Sequence, residues 1–271
     1  MDFRQKVVWI TGASSGIGEA FALQVARRGA RLVLSARNRE MLDTVAAACG
    51  EAGAHDVLVL PLDVTDYERM GDAVGEVLER FGVIDLLLNN AGVSQRSFCR
   101  DTHFDVYRQM MEINVLGQIA LTQAVLPSMI ERGAGHIAVT ASVAGKLGAP
   151  LRTGYCAAKH AVMGFFDALR SEVAADGIEV TTITPGFIRT AVAKNALGGD
   201  GKPMGHSDDA IEGGMDVTEC AAVILRGFEE GEAEIAVGSG AEMALLELKR
   251  KDPQRVFRAV EEMAGQLRSA S

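Results

Sequence analysis

Short, continuous apolar runs alternate along the chain with longer segments whose apolar residues recur every three or four positions. The first run is Val7-Val8-Trp9-Ile10, and residues 16–28 follow with apolar positions at helical spacing. Continuous apolar runs are typical of parallel strands that are covered on both faces. The repeated strand–helix order predicts an α/β fold, a Rossmann-like doubly wound parallel sheet of about seven strands with helices on both faces.

Two segments of the chain do not follow this alternation of strands and helices. The predicted strands are 6–11, 31–36, 57–62, 84–89, 135–141, 179–184 and 233–237, and the predicted helices are 16–28, 39–50, 66–81, 104–131, 153–175 and 218–229. Because no linker divides the pattern, residues 1–238 are predicted to form one domain. Within it, the glycine-rich stretch 191–216 has little periodicity and is interpreted as a flexible substrate loop. Residues 239–271 are predicted to be a C-terminal helical extension, for which internal packing, subunit contact and membrane-surface contact all stay open.

Composition narrows the classes of partner. The 271 residues carry a net charge of −9, which argues against a nucleic-acid partner because such proteins usually present a basic face. The four cysteines and five histidines are scattered, so no metal site is predicted and the thiols are expected to be reduced. No apolar run approaches the length of a membrane helix, and we therefore expect a cytoplasmic protein without an integral membrane segment.

A glycine-rich turn follows the first strand and opens the first helix. Gly12 permits a tight turn, Gly16 lets the backbone approach a pyrophosphate, and Gly18 lets the helix pack close to the strand. Phosphates would then meet the N–H groups at a helix N-terminus. A purely structural turn is the alternative. The predicted cofactor contacts in this turn are Gly12, Ser14, Ser15, Gly16, Ile17 and Gly18.

The end of the second strand indicates which dinucleotide is bound. Ala36 would not repel a phosphate, and Arg37 offers a planar fork for the 2′-phosphate, so NADP(H) is favoured over NAD(H). The alternative is that Arg37 is a solvated turn residue. Asp63 is placed to accept from the adenine amino group, or else forms a local turn with Thr65. The further cofactor contacts predicted here are Ser35, Arg37, Asn38, Asp63, Val64, Asn90, Ala91 and Gly92.

Four polar residues form a candidate catalytic set. Tyr155 and Lys159 are four residues apart on a predicted helix, and the lysine charge is expected to lower the phenol pKa. Ser142 follows the fifth strand at the sheet edge where ligands bind. Asn114 is an unfavourable residue for a helix interior, which suggests that it holds a water molecule, with a buried hydrogen bond as the alternative.

These motifs together resemble the short-chain dehydrogenase/reductase family. The resemblance rests on TGASSGIG, LDVTD, NNAG, Asn114, Ser142, YCAAK and Pro185-Gly186, which occur in the family's order over residues 5–238. It implies that Tyr155 is the general acid/base and that Lys159 binds the nicotinamide ribose and tunes Tyr155. It also implies that Ser142 orients the carbonyl and that Asn114 supports a water-linked proton relay.

The same resemblance also implies residues that contact the nicotinamide half of the cofactor, and it points to one subgroup of the family. It implies cofactor contacts from Pro185, Gly186, Ile188 and Thr190, and a homodimer or homotetramer. Residues 37–40, 126–129 and the basic tail resemble the "family member 7" reductases.

The implied reaction is NADP(H)-dependent interconversion of a ketone or aldehyde and a secondary or primary alcohol. A non-catalytic NADP-binding module and a lyase, isomerase or epimerase on the same fold are the alternatives. The substrate is expected to be apolar or mixed in character. Its predicted contacts are Ser142, Val93, Leu147, Leu151, Phe187 and Val192.

Overall fold

The computed structural model describes residues 1–269, and its strands form a single parallel sheet. The order across the sheet is β3-β2-β1-β4-β5-β6-β7, which confirms the predicted doubly wound architecture. The strands are β1 Val7–Thr11, β2 Arg31–Ser35, β3 Asp56–Val59, β4 Leu86–Asn89, β5 Gly135–Thr140, β6 Ile178–Pro185 and β7 Glu234–Val237.

The predicted helices lie close to their expected positions, and a further four-residue helix, Asp209–Glu212, lies within the predicted substrate loop 191–216. The helices are α1 Gly16–Ala26, α2 Arg39–Ala52, α3 Arg69–Phe81, α4 Phe104–Met111, α5 Gly117–Arg132, α6 Thr153–Val173, α7 Asp209–Glu212, α8 Val217–Glu230, α9 Ala241–Lys251 and α10 Pro253–Ser269. The helix predicted over 104–131 is interrupted by a π-helical turn, Glu112–Leu116, between α4 and α5. Helix α3 starts at Arg69 and not at the predicted residue 66, because Asp66 lies in the preceding turn and its carbonyl accepts from the Arg69 N–H.

Two apolar layers cover the faces of the sheet. Successive strand side chains point to opposite faces, so Val7 and Trp9 join the layer that includes α3 to α6. Val8 and Ile10 join the opposite layer, with α1, α2 and α8. Burial on both faces explains why the strand sequences are continuously apolar.

The chain reverses its direction of travel across the sheet between β1 and β4. The units from β1 to β3 extend to one side, and those from β4 to β7 extend to the other. Ligands of open α/β sheets bind outside the carboxyl ends of the strands at such a switch point. The loops after β1, β4, β5 and β6 meet at this edge and carry the residues described below.

The continuous helical stretch Phe104–Arg132 is long and apolar enough, by length and composition alone, to cross a membrane. This differs from the expectation that no apolar segment reaches that length. Its buried side chains include Met110, Leu121, Val125 and Met129, which pack into the apolar layer of α3 to α6. A helix that covers a sheet in this way passes the same test, so the feature is weak evidence about membrane association.

Candidate active site

The glycine turn between β1 and α1 leaves no room for a side chain at two of its three glycines, Gly12 and Gly18. Gly12 and Gly16 have φ values of +63° and +61°, a region that glycine adopts without strain. A Cβ atom at Gly12 would lie 2.9 Å from the Ala91 Cα, and one at Gly18 would lie 2.6 Å from the Asn90 Nδ2 and overlap the Gly12 carbonyl. The tight turn and the close helix packing predicted from the sequence are therefore both present.

A hydrogen-bond network connects this turn to the ends of β4 and β5. The Thr11 hydroxyl oxygen accepts from the N–H groups of Asn90 and Ala91, at 2.9 and 3.0 Å. The Asn90 amide donates to the carbonyls of Thr11 and Gly12, and its oxygen accepts from the Thr140 hydroxyl at 3.1 Å. Thr11 and Thr140 were not among the predicted site residues, although Thr11 begins the TGASSGIG motif; both lie at strand ends.

At the end of β2 and directly after it, one side chain is free of partners among the described residues and two have structural roles. Arg37 is exposed and makes no hydrogen bond or ion pair with the described residues, so its guanidinium is free to meet an anion. The Asn38 side chain caps α2 by accepting from the Met41 N–H. Ser35 was predicted to contact the cofactor, but it is 1% exposed and its hydroxyl accepts from the Trp9 indole. The structure therefore assigns the Ser35 side chain to the core.

The loop after β3 is held by its own side chains. One oxygen of Asp63 accepts from the Thr65 N–H and hydroxyl, at 2.9 and 2.8 Å, which is the local turn that the sequence left open. The other Asp63 oxygen has no hydrogen bond with residues 1–269. The Val64 carbonyl packs against Gly117, where a Cβ atom would lie 2.5 Å from it. This contact fixes the loop beneath the start of α5.

Tyr155 and Lys159 share one face of α6, as predicted. The Lys159 side chain is 4% exposed, and its Nζ donates to the Thr140 carbonyl at 2.7 Å and lies 5.8 Å from the centroid of the Tyr155 ring. Burial lowers the pKa of Lys159 from 10.5 to about 8, because the charged ammonium loses solvation.

The pKa of the Tyr155 phenol is shifted in the direction opposite to the one predicted from the sequence. Burial raises its pKa above the ordinary value of 10, and this effect outweighs a hydrogen bond with Ser142 and the positive charge of Arg152, which both lower it. The prediction that Lys159 brings the phenol pKa below its ordinary value is therefore wrong for this structure. Desolvation of the phenolate prevails, and the tyrosine is held in its protonated form.

Asn114 lies in the π-helical turn and is fully buried. Its amide donates to the carbonyls of Val93 and Met110, at 3.0 and 3.1 Å, and its oxygen accepts from the Val93 N–H at 3.1 Å. These bonds match the buried-hydrogen-bond alternative, while the water-holding role stays a prediction. A Cβ atom at Gly92 would lie 2.7 Å from the Asn114 oxygen and 3.7 Å from the Lys159 Nζ, so these three predicted site residues are neighbours.

Ser142 and Thr190 bring two further loops to the same edge. The Ser142 hydroxyl accepts from the Ala144 N–H at 3.1 Å and donates to the Pro185 carbonyl at 3.4 Å. A Cβ atom at Gly16 would lie 3.5 Å from the Thr190 side chain, so the glycine turn faces the segment after β6. The structure thus brings predicted catalytic and cofactor residues together at the carboxyl edge of the sheet.

The predicted substrate contacts come from separate segments. Leu147 is buried, Leu151 has a φ of +64°, and Val192 is 38% exposed. The Val93 backbone is held by Asn114, and both backbone groups of Phe187 are engaged, the N–H by Glu242 and the carbonyl by the Met215 N–H. Their contact with a substrate stays a prediction.

A charged cluster that the sequence analysis missed ties down the 191–216 segment. One Asp208 oxygen accepts from Arg96 at 2.7 Å and from Arg152 at 2.6 Å, and the second accepts from the Ile211 N–H. The Arg152 guanidinium also donates to the Ser94 hydroxyl at 2.9 Å. The side chains of Arg96, Arg152 and Asp208 are 12–25% exposed. Their ion pairs join the 191–216 segment to the loop after β4 through Arg96 and to the start of α6 through Arg152.

Comparison with known sequences identifies relatives over most of the chain. The family model described as short chain dehydrogenase matches residues 6–199. The human protein dehydrogenase/reductase SDR family member 7 is 47% identical over 224 residues, which cover 81% of this chain and 66% of the human protein, slightly less than two thirds of its length. An Anopheles gambiae protein, dehydrogenase/reductase SDR family protein 7-like, is 41% identical over 268 residues, covering 97% of this chain and 84% of that protein.

Solved structures share the fold over nearly the whole chain. A short chain dehydrogenase/reductase from Burkholderia phymatum in complex with NAD aligns with a TM-score of 0.83 and 28% identity, covering 94% of this chain and 96% of that one. An alcohol dehydrogenase from the archaeon Thermococcus sibiricus complexed with 5-hydroxy-NADP aligns with a TM-score of 0.73 and 29% identity, covering 86% and 96% respectively. Proteins of this fold thus bind either dinucleotide.

Proposed function

The chain belongs to the short-chain dehydrogenase family, and we propose that it interconverts a ketone or aldehyde and the corresponding alcohol with NADP(H) as the hydride carrier. The observation that supports this most strongly is the position of Tyr155, Lys159 and Ser142. All three lie at the carboxyl edge of the sheet, beside the glycine turn and Gly92.

The residues present fit a phosphorylated dinucleotide. Gly12, Gly16 and Gly18 leave the turn after β1 open at the N-terminus of α1, where a pyrophosphate is stabilised by backbone N–H groups. Arg37 is exposed and free of partners among residues 1–269, as a group that binds a 2′-phosphate needs to be. The three residues directly after β2, Ala36, Arg37 and Asn38, include no acidic side chain to favour a ribose 2′-hydroxyl.

When bound, a nicotinamide cofactor would supply the hydride for the carbonyl carbon in the reductive direction. Tyr155 then donates its phenolic proton to the carbonyl oxygen, and in the oxidative direction its phenolate accepts the proton of the alcohol. Burial keeps the Tyr155 pKa raised, so the phenol is protonated at neutral pH and ready to donate. In this mechanism the Ser142 hydroxyl hydrogen-bonds the reacting oxygen, and the Lys159 ammonium stabilises the phenolate when it forms.

The test is the substitution Tyr155→Phe, which removes the proton donor and keeps the ring. Turnover of carbonyl compounds with NADPH, followed at the nicotinamide absorbance band, should be lost, while NADPH binding should stay within about twofold. Retained turnover, or loss of cofactor binding alone, would exclude the proposed role of Tyr155.

The same assay separates the remaining alternatives. A lyase, isomerase or epimerase regenerates its cofactor and would give no net absorbance change. A non-catalytic NADP-binding module would bind the cofactor and show no turnover across a panel of ketones, aldehydes and alcohols. A homodimer or homotetramer and a cytoplasmic location are further predictions from the sequence.

A further inference from the structure

The C-terminal extension places a buried carboxylate against the candidate nicotinamide loop. Glu242, in the first turn of α9, is 6% exposed and lies among Gly186, Gly238 and Gly240. A Cβ atom at Gly186 or at Gly240 would overlap the Glu242 carboxylate and lie within 3.0 Å of its Cδ. The three glycines therefore provide the space that this side chain occupies.

The Glu242 carboxylate holds a backbone group of the loop after β6. Its Oε1 accepts from the Phe187 N–H at 3.3 Å, and it forms no ion pair with residues 1–269. Glu242 lies in the first turn of α9, the end of a helix at which acidic side chains are favoured. On the other side of the same residue, the Phe187 carbonyl accepts from the Met215 N–H at 2.9 Å. The Phe187 backbone is thus fixed from both sides.

Helix α9 reaches a second loop of the candidate active site. The Lys249 Nζ donates to the Lys146 carbonyl at 2.6 Å, just beyond the turn that Ser142 caps. The helix therefore contacts the loops after both β5 and β6. These are the loops that carry Ser142 and the predicted nicotinamide contacts Gly186, Ile188 and Thr190.

We propose that Glu242 is a positioning residue that holds the Phe187 backbone, and with it the nicotinamide-binding loop, in the geometry needed for hydride transfer. This rests on the proposed function, since it assumes that a nicotinamide dinucleotide binds at the carboxyl edge of the sheet. It gives the C-terminal extension a role in the reaction, although Glu242 itself touches no reacting atom. The contacts of Glu242 are with Gly186, Phe187, Gly238 and Gly240, and none of its hydrogen bonds within residues 1–269 reaches Gly12 or Arg37.

The test compares a whole cofactor with its adenosine half. In Glu242→Ala, the Kd for NADP⁺ should rise and kcat should fall, each by about tenfold, as expected for one lost hydrogen bond to a charged group. The Kd for adenosine 2′,5′-bisphosphate, which lacks nicotinamide, should stay within about twofold of wild type. Glu242→Gln keeps the shape and the acceptor oxygen and should restore both values to within about threefold. Glu247→Ala, on the exposed side of α9, is the matched control and should match wild type.

A second variant keeps the inference testable if Glu242→Ala folds poorly. Gly240 has φ and ψ angles that alanine adopts freely, so Gly240→Ala acts mainly by displacing the carboxylate. It should reproduce the effects of Glu242→Ala, and the double variant should be no worse than Glu242→Ala alone. Additive losses, or equal weakening of both ligands, would overturn the inference. If wild type itself binds no NADP(H) and turns over no carbonyl compound, the proposed function fails, which is a separate outcome.

Discussion

Replacing Lys159 with methionine should abolish activity and at the same time stabilise the protein at neutral pH. The Lys159 ammonium is almost fully buried, and its pKa of about 8 lies well below the ordinary 10.5. At ~1.4 kcal/mol per pH unit, holding the lysine charged in the folded state costs about 3 kcal/mol. The lost hydrogen bond to the Thr140 carbonyl offsets about 1–2 kcal/mol of this. A net gain of about 1–2 kcal/mol is expected for Lys159→Met.

Because the pKa of Lys159 is lowered in the folded state, the stability of the wild type depends on pH in a definite direction. Between pH 8 and 10.5 the unfolded chain holds a proton on Lys159 that the folded protein has released, so the wild type gains stability as the pH rises through this window. This contribution is complete above pH 10.5 and is lost as the pH falls to about 8. The advantage of the methionine variant should therefore be present at pH 7 and absent at pH 10.

Urea denaturation of wild type and Lys159→Met at pH 7 and pH 10 measures this difference, and turnover with NADPH measures the functional loss. Lys202→Met is the matched control, because the Lys202 side chain is 82% exposed and should show no such dependence. A stability difference between wild type and Lys159→Met that is the same at both pH values would refute the reasoning. It would mean that burial does not penalise the charged lysine.

Three further predictions concern the cofactor, the 191–216 segment and acid stability. Arg37→Ala should raise the Kd for NADPH about tenfold and leave NADH unchanged, because the guanidinium is expected to bind only the 2′-phosphate; equal weakening of both would contradict that role. Asp208→Asn should destabilise the protein by about 3 kcal/mol and speed limited proteolysis within 191–216, since Arg96 and Arg152 lose their shared carboxylate; an unchanged cleavage rate would argue against the anchor. Burial lowers the pKa of His136 from 6.5 to about 4. The neutral imidazole therefore contributes about 3 kcal/mol to the free energy of unfolding above pH 6.5, and this contribution is lost as the pH falls to 4. His136→Asn should therefore lose less stability than wild type between pH 7 and pH 4.5 in urea denaturation, and an identical loss would count against this cause.

Sequence reasoning succeeded where the information is local. The continuous apolar run of β1, the glycine spacing before α1 and the four-residue interval from Tyr155 to Lys159 each depend on neighbouring positions alone. Strand and helix periods act over a few residues, so the elements, the parallel sheet and the edge that carries the candidate site could all be predicted. The π-helical turn at Asn114 was missed, because it is a small deviation within an otherwise regular helical pattern.

By itself, the sequence determined the order of the elements, the glycine turn and the residue types available for proton transfer. Only the tertiary structure decided which distant residues meet. Asp208 is joined to Arg96 across 112 positions, and Glu242 to Phe187 across 55. It also decided the direction of the Tyr155 pKa, since desolvation depends on how completely surrounding loops exclude water. Burial and long-range contact are properties of the folded chain as a whole, and no local pattern encodes them.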